Sequence, residues 1–374
     1  MSYIDLSLKQ KNAKEREFYK LSEIINNNKI SVILGAPGSG KSSLFKKYFE
    51  ENQSTTKNLK VKEFIRLAVN INEDIKILLL DGLDEYRVVT RDKTFVLSEL
   101  GHKLNGLLES HKDLKIVISC REMDWYGESD KNALKDQINF EAVLFNILPL
   151  NIEQQKELGN LLQIENQEEF LDKFYEKGFL DNPQMFWMLS EIWKTNRDDI
   201  SSKINLYKKF ILKTRENNLE HQQVIESIEP DQLLKVAGYM AFYYIFCAID
   251  EYNEELVDQI VKAENGFSKE LILNVLKTRI FSEQQFIHRT IAEFALANYI
   301  SNYKLATDID KGRIKSLFIK NNRIPTELRG TYAWLCSING DLDLINVDPY
   351  YQAIHGDNSL FSFEVKSHII EAVR

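Results

Sequence analysis

The chain has 374 residues, of which 44% are hydrophobic and 28% charged, a composition typical of globular proteins rather than disordered ones. It carries 48 basic and 56 acidic residues, a net charge of −8, which argues against a strongly basic nucleic-acid binder. There is no signal-peptide pattern, and the longest apolar run, residues 237–249, is shorter than the roughly 20 residues that span a bilayer. Its three cysteines are widely separated, so we expect a cytoplasmic protein with no membrane partner.

Residues 1–148 have the pattern of an α/β domain. An amphipathic helix is predicted over residues 6–27. Its apolar side comprises Phe18, Leu21, Ile24 and Ile25. Four short runs follow that are apolar throughout, which is typical of strands buried on both faces of a sheet. They cover residues 31–34, 75–80, 114–119 and 142–148. Because helical patterns lie between these runs, we expect a parallel sheet flanked by helices.

After residue 148 the strand pattern nearly disappears, and three further parts are predicted. Residues 149–228 read as an all-α helical domain. Residues 229–305 read as helices, a small hairpin within residues 279–289 and a last helix, which is the outline of a winged-helix domain. Residues 306–374 read as a further helical segment.

Residue patterns at helix ends support this division. Asn151 and Gln154 make a capping box, in which each side chain bonds the backbone N–H of the other. Asn182 followed by Pro183 is the pattern of an N-cap and a first helical position. Residues 367–374 read as an unfinished helix, so we expect the chain to be one module of a longer protein.

A glycine-rich loop, GAPGSGKSS, lies between the first apolar run and a helical stretch. It matches the spacing G-x-x-x-x-G-K-[ST]. Glycines let the backbone curl around a diphosphate with its N–H groups pointing inward, and the following helix adds its positive end. Lys41 is predicted to reach the β- and γ-phosphates, and the Ser42 hydroxyl is predicted to bind Mg²⁺. The candidate nucleotide-binding residues are Gly35, Ala36, Pro37, Gly38, Ser39, Gly40, Lys41, Ser42 and Ser43.

A cluster of carboxylates, LLLDGLDE, ends the second apolar run. Asp81 is placed at the carboxyl end of the strand, where we expect it to bind Mg²⁺ directly or through water. Asp84 and Glu85 follow one turn later. We predict that one of these two orients a water molecule or takes its proton for attack on the γ-phosphate, and the residues leave open which one. The pattern therefore predicts hydrolysis of a nucleotide and not only its retention.

The two motifs together resemble those of the NACHT group of STAND NTPases, which are relatives of the AAA+ ATPases. Residues 116–125, IVISCREMDW, are similar to the family's sensor strand, which implies that Arg121 reads the γ-phosphate. The CRxxDW form is similar to prokaryotic members that act in antiviral defence.

Two stretches of the helical part are also similar to that family. Residues 182–186, NPQMF, imply that Pro183 packs on the adenine. Residues 286–300, FIHRTIAEFALANYI, imply that His288 contacts the β-phosphate of ADP in a closed state. The resemblance covers roughly residues 20–305.

What the resemblance implies is a nucleotide-driven signalling switch that uses ATP, ADP and Mg²⁺. ADP would hold a closed monomer, ATP would permit self-association, and slow hydrolysis would reset the protein. The protein trigger and the effector are unknown, and the choice of ATP over GTP is also an implication of the resemblance.

Two alternatives remain open. An AAA+-like remodelling motor would need fast turnover and an arginine finger acting on a neighbouring subunit, for which Arg87 and Arg91 are candidates by position only. A winged-helix DNA-binding regulator is disfavoured, because the net charge is −8 and residues 279–300 carry no stripe of lysine or arginine. Nucleic acid is therefore not an expected partner.

Overall fold

The structure is a computed structural model that describes residues 4–11, 17–67, 71–89, 95–194, 200–214, 228–249, 251–263, 266–282, 284–304 and 308–374. The chain divides into two units, Met1–Ser190 and Glu191–Arg374, each of which is described by itself. The first unit contains an α/β sheet and the second is mostly helical, so the predicted fold class is confirmed.

A six-stranded sheet forms the middle of the first unit. Its strands are β1 (Leu8–Gln10), β2 (Ile30–Gly35), β3 (Thr56–Lys60), β4 (Ile77–Asp81), β5 (Lys115–Arg121) and β6 (Val143–Ile147). Their order is β1-β6-β2-β5-β4-β3, in which β1 runs antiparallel to β6 and all other neighbours are parallel. The four predicted apolar strands are confirmed as β2, β4, β5 and β6. Since β5 lies between β2 and β4, the carboxyl ends of the two motif-bearing strands lie close together.

Helices cover both faces of the sheet. They are α1 (Leu21–Asn27), α2 (Lys41–Glu51), α3 (Val61–Arg66), α4 (Leu83–Val89), α5 (Val96–Ser110) and α6 (Glu128–Ile138). Three further helices follow β6: α7 (Ile152–Leu161), α8 (Gln167–Tyr175) and α9 (Pro183–Trp193). Successive strand residues point to opposite faces: Leu78 and Leu80 lie in one hydrophobic core, and Leu79 lies in the other. Both faces are therefore buried, which explains why these strands are apolar throughout.

The prediction of a helix over residues 6–27 is wrong for the first half of that segment. Leu8–Gln10 instead form β1, an edge strand that pairs with β6. Residues 12–16 lie outside the described residues, and α1 begins only at Leu21. Phe18, predicted on the apolar side, precedes the helix and is 62% exposed. The pairing of β1 with β6 is a tertiary contact, which the periodicity of the segment itself does not reveal.

The second unit contains a short hairpin among helices. The helices among its described residues are α10 (Lys203–Lys213), α11 (Pro230–Phe246), α12 (Glu254–Ala263), α13 (Lys269–Leu276), α14 (Arg289–Tyr303), α15 (Asp308–Phe318), α16 (Arg329–Asn339), α17 (Leu342–Ile345), α18 (Pro349–His355) and α19 (Phe363–Val373). The hairpin pairs β7 (Phe281–Ser282) with β8 (Gln285–Phe286), where the sequence predicts it. The winged-helix assignment and the other domain boundaries stay predictions.

Helix α14 is buried along most of its length, and its first turn holds a buried ion pair between Arg289 Nε and Glu293 Oε1 at 3.0 Å. The helical character predicted for residues 306–374 is present in α15 to α19. Within the described ranges, no helix combines the length and the apolar character that crossing a bilayer requires.

Candidate functional site

The glycine-rich loop joins the end of β2 to the first turn of α2, as the sequence predicts. Gly38 and Gly40 have φ angles of +74° and +91°, a left-handed backbone that glycine adopts without strain. Gly40 precedes α2 and provides no side-chain cap, so the first N–H groups of the helix can bond another acceptor. In the described part of the chain, the buried hydroxyl of Ser39 has no hydrogen-bond partner. The loop therefore offers the unsatisfied donors that a phosphate group requires.

Lys41 lies over the loop that it follows. Its ammonium group donates to the carbonyl oxygens of Gly35 at 2.9 Å and Ala36 at 3.0 Å. Burial lowers the pKa of Lys41, although the nearby Asp84 carboxylate acts in the opposite direction. A desolvated cation held mainly by neutral carbonyl groups gains energy when an anion approaches. Phosphate oxygens would therefore be better partners for Lys41 than the two carbonyls.

Asp81 ends β4 beside the loop. One carboxylate oxygen accepts a hydrogen bond from Ser119 Oγ at 2.6 Å, and the other lies 2.7 Å from Lys60 Nζ. Burial alone would raise the pKa of Asp81, but Lys60 and the hydroxyl groups of Ser119 and Ser42 lower it below its ordinary value. The carboxylate is therefore ionised, and the effect of Ser42 on its pKa places the two sequence motifs side by side.

Ser42 and Asp81 are the predicted metal ligands. No group of three or more His, Cys, Asp or Glu side chains suited to holding a metal ion by themselves occurs in the ranges that the structure describes. One hydroxyl and one carboxylate instead suit Mg²⁺, which takes most of its remaining ligands from water and phosphate. The donor set thus fits a metal ion that arrives together with a nucleotide.

Asp84 and Arg121 form a buried ion pair at the end of β5. Arg121 Nε lies 3.1 Å from Asp84 Oδ2, and the backbone N–H of Arg121 donates to Asp84 Oδ1 at 3.1 Å. Both oxygens of Asp84 are therefore engaged, and the side chain of Asp84 is only 5% exposed. The pair holds Arg121 beside the phosphate loop. That Arg121 reads a γ-phosphate stays a prediction.

Glu85 is the more open of the two candidate bases. It lies in the first turn of α4, its side chain is 49% exposed, and Lys60 Nζ lies 3.6 Å from its Oε2 atom. Neighbouring protein atoms reduce the hydration of this carboxylate and so raise the pKa of Glu85. Lys60 opposes the rise, and the charge of Asp84 adds to it. A carboxylate with a raised pKa accepts a proton more readily than an ordinary one.

The start of α9 lies against the phosphate loop. Asn182 Oδ1 accepts hydrogen bonds from the N–H groups of Gln184 at 3.0 Å and Met185 at 3.2 Å, which confirms the predicted N-cap. Asn182 Nδ2 donates to the Pro37 carbonyl at 3.0 Å. The N–H of Gln184 is shared with the Gly38 carbonyl at 3.2 Å, and a Cβ on Gly38 would collide with the Gln184 side chain. The helix thus supports two carbonyl groups of the loop.

The two remaining predicted site residues lie in different units. Pro183 is the first residue of α9, and its ring lies 3.6 Å from the position of a Cβ on Gly40. His288 is the N-cap of α14, where its Nδ1 lies 2.9 Å from Thr290 Oγ1. Adenine contact by Pro183 and ADP contact by His288 stay predictions.

Arg87 is engaged within its own chain. Its Nη2 lies 2.7 Å from Asp130 Oδ1, its Nη1 donates to the Asp124 carbonyl, and its guanidinium carbon lies 4.4 Å from the centre of the Tyr126 ring. These contacts bury the side chain, which disfavours it as an arginine finger for a neighbouring subunit. Arg91 lies outside the described residues.

Three residues of the site were not identified by sequence analysis as site residues: Lys60, Ser119 and Asn182. Lys60 ends β3 and lies opposite Asp81 in the parallel pairing of β3 with β4. Since carboxyl ends of parallel strands meet at one edge, recognition of β3 as a strand would have indicated Lys60. Ser119 is the fifth residue of β5, and the sequence contains no signal for its bond to Asp81.

We expect Asn182→Ala to destabilise the first unit more than the loss of an ordinary helix cap does. The substitution removes the cap, which costs about 1 kcal/mol, and also the bond to the loop, so the free energy of unfolding should fall by about 2 kcal/mol. Urea denaturation followed by circular dichroism measures the change. Asn151→Ala is the matched control, because Asn151 caps α7 through the N–H of Gln154. Equal losses in the two variants would show that the contact with the loop contributes nothing.

The chain has distant similarity to several known proteins. No protein-family model matches the sequence, and no curated protein matches it. A Walker-type ATPase of Pyrococcus abyssi has 13% identity and a TM-score of 0.33, over 74% of this chain and 93% of that chain. The RuvB Holliday junction branch migration motor of Thermotoga maritima has 10% identity and a TM-score of 0.27, over 67% of this chain and 79% of that chain.

A STAND protein of Pyrococcus horikoshii, which has a tetratricopeptide repeat sensor, has 16% identity and a TM-score of 0.36. The similarity covers 94% of this chain and 56% of that chain. Similarities of this size carry no argument about function. The phosphate-loop α/β fold of the first unit is assigned from the strand order and loop of this chain itself.

Proposed function

We propose that the first unit is an ATPase that binds ATP or ADP with Mg²⁺ and hydrolyses ATP slowly. The observation that carries the proposal is the meeting of the phosphate loop with the acidic motif: the parallel strands β2 and β4 end at the same edge of the sheet, on either side of β5. The Ser42 hydroxyl helps to lower the pKa of Asp81 there. Unsatisfied donors, a desolvated lysine and an ionised carboxylate lie at one edge of a parallel sheet, where such folds bind nucleotides.

The loop would bind the phosphates through its inward N–H groups, the Ser39 hydroxyl and the ammonium group of Lys41. Ser42 and Asp81 would hold Mg²⁺, which when bound neutralises charge on the phosphate oxygens. The start of α9 would keep the loop in shape, because Asn182 bonds the Pro37 carbonyl.

We assign the role of base to Glu85. Both oxygens of Asp84 already accept from Arg121, whereas the Glu85 carboxylate is half-exposed and has a raised pKa. Glu85 can therefore take a proton from a water molecule, and Asp84 holds Arg121 in position. Arg121 would contact the γ-phosphate by exchanging its bond to the Asp84 carboxylate for a bond to the phosphate.

A switch built on this site is the finer part of the proposal. ATP and ADP would favour different arrangements of the domains, with Pro183 on the adenine and His288 on the ADP phosphate in the closed state. Self-association in the ATP state and a NACHT-type role in antiviral defence follow from the motif resemblance. The contacts of α9 with the loop support a switch, because a change in the loop would reach the helix directly.

The remodelling motor is the weaker candidate. Such a motor needs an arginine that reaches the nucleotide of a neighbouring subunit, and Arg87 is buried against Asp130 and Tyr126.

The nucleotide carried by the purified protein separates the two functions. The protein is denatured, and the released nucleotide is identified by chromatography. We expect ADP close to one molecule per chain, together with slow release of phosphate from added ATP. A protein that releases no nucleotide and turns over ATP rapidly would contradict the switch and favour the motor.

A further inference from the structure

A lysine lies among the carboxylates of the site. Lys60 is the last residue of β3 and is paired in register with Asp81 of β4. Its Nζ atom lies 2.7 Å from Asp81 Oδ2 and 3.6 Å from Glu85 Oε2. A single ammonium group thus joins the proposed metal ligand to the proposed base, and neither role requires it.

The distribution of charge explains why a cation is held at this point. Asp84 already has Arg121 as its cation. Asp81 and Glu85 share Lys60 instead, and the proximity of their charges makes their repulsion costly without it. A lysine side chain is a cation at neutral pH, and its Nζ atom lies within 4 Å of both carboxylates, so it offsets their repulsion.

The same carboxylates form an arrangement that divalent cations bind. Two carboxylates next to a serine hydroxyl are ligands that hard cations such as Mg²⁺ and Mn²⁺ prefer. The Lys60 ammonium contacts one carboxylate oxygen of Asp81 and one of Glu85. Its positive charge therefore repels a metal ion that arrives without a nucleotide. Its side chain is 46% exposed on a flexible stem, so it can move aside when the site changes.

We infer that Lys60 sets the order in which the metal and the nucleotide bind at this site. It is a positioning residue whose ammonium group stays paired with Asp81 and Glu85 until a nucleotide arrives. A divalent cation therefore binds only together with the nucleotide. The inference rests on the proposed function, because it concerns the metal and the nucleotide of that same site. The negative charge of the nucleotide would attract both the metal and the Lys60 ammonium, which releases Asp81.

Binding of Mn²⁺ tests the inference without any measurement of activity. Free Mn²⁺ is followed by electron paramagnetic resonance in the presence of protein that has been stripped of nucleotide. The wild type should bind Mn²⁺ about tenfold or more weakly without ADP than with it. Lys60→Met keeps the apolar stem but removes the charge, so its affinity for Mn²⁺ without ADP should rise by about tenfold or more. Lys60→Arg keeps the charge and should behave as the wild type does.

Lys46→Met is the matched control, because it removes the same charge from an exposed lysine on α2 and should leave Mn²⁺ binding unchanged. The inference is overturned if the wild type binds Mn²⁺ equally well with and without ADP. It is also overturned if Lys60→Met still binds ADP with Mn²⁺ but gains no affinity for Mn²⁺ alone. A wild type that binds no ADP with any metal overturns the proposed function itself, which distinguishes the two failures.

Discussion

Lys41→Ala is expected to abolish retention of nucleotide. The ammonium group of Lys41 lies over the loop on the carbonyl oxygens of Gly35 and Ala36, where phosphate oxygens would replace them. Loss of charge-assisted hydrogen bonds of this kind costs about 3 kcal/mol, so the affinity for ADP should fall by roughly 100-fold or more. Titration with a fluorescent ADP analogue measures the change.

Lys46→Ala is the control for this prediction, since Lys46 is an exposed residue of the same helix. It removes an equal charge and should bind ADP as the wild type does. The fold of both variants is checked by circular dichroism and thermal melting. If Lys41→Ala binds ADP within about twofold of the wild type, the assignment of the loop as the phosphate site is wrong.

Glu85→Gln is expected to bind ATP normally and to lose hydrolysis. Glutamine keeps the size of the side chain and cannot accept a proton from water, so phosphate release at saturating ATP should fall by about 100-fold or more. Binding should change little, because Glu85 is half-exposed and forms an ion pair with Lys60 at 3.6 Å rather than with the loop. A phosphate-release assay and a binding titration on one preparation measure both effects.

Asp84→Asn distinguishes the base from its neighbour. The substitution leaves the buried charge of Arg121 without its anion, so we expect a loss of stability of about 3–5 kcal/mol as its main effect. Should Asp84→Asn remain folded and abolish hydrolysis while Glu85→Gln hydrolyses ATP normally, Asp84 would be the base.

The buried strands could be predicted from the sequence, and the edge strands could not. Strands β2, β4, β5 and β6 lie between two hydrophobic cores and carry continuous apolar runs. Strand β3 lies at the edge of the sheet and has the polar sequence TKNLK, and β1 has only three residues. Edge strands depend on pairing with a neighbour, which leaves little trace in the hydrophobic pattern.

The phosphate loop was predictable because its chemistry lies in consecutive residues with fixed spacing. The contacts that complete the site come from residues distant in the sequence. Lys60 reaches Asp81 through strand pairing, and Asn182 reaches Pro37 through the placement of α9. The sequence indicated Asn182 as a helix cap, which the structure confirms, but its amide group has a second bond that depends on tertiary structure.

The ion-pair partners of Arg121 and Arg87 likewise could not be predicted from the sequence. Arg121 ends β5, as the family resemblance implies, but only the structure reveals its pairing with Asp84. Arg87 was a candidate for contact with a neighbouring subunit, and the structure instead buries it against Asp130. Such pairings depend on side-chain geometry across 37 and 43 positions of sequence, which no local pattern encodes.

Calorimetric titration of the stripped protein with ADP and ATP, with and without Mg²⁺, tests most directly whether the loop and the acidic motif form one nucleotide site. We predict saturable heat for a single nucleotide per chain, dependence of ATP binding on Mg²⁺, and loss of the heat in Lys41→Ala. Absence of heat with adenine and guanine nucleotides alike, in a wild-type protein that is folded, would contradict the existence of the site.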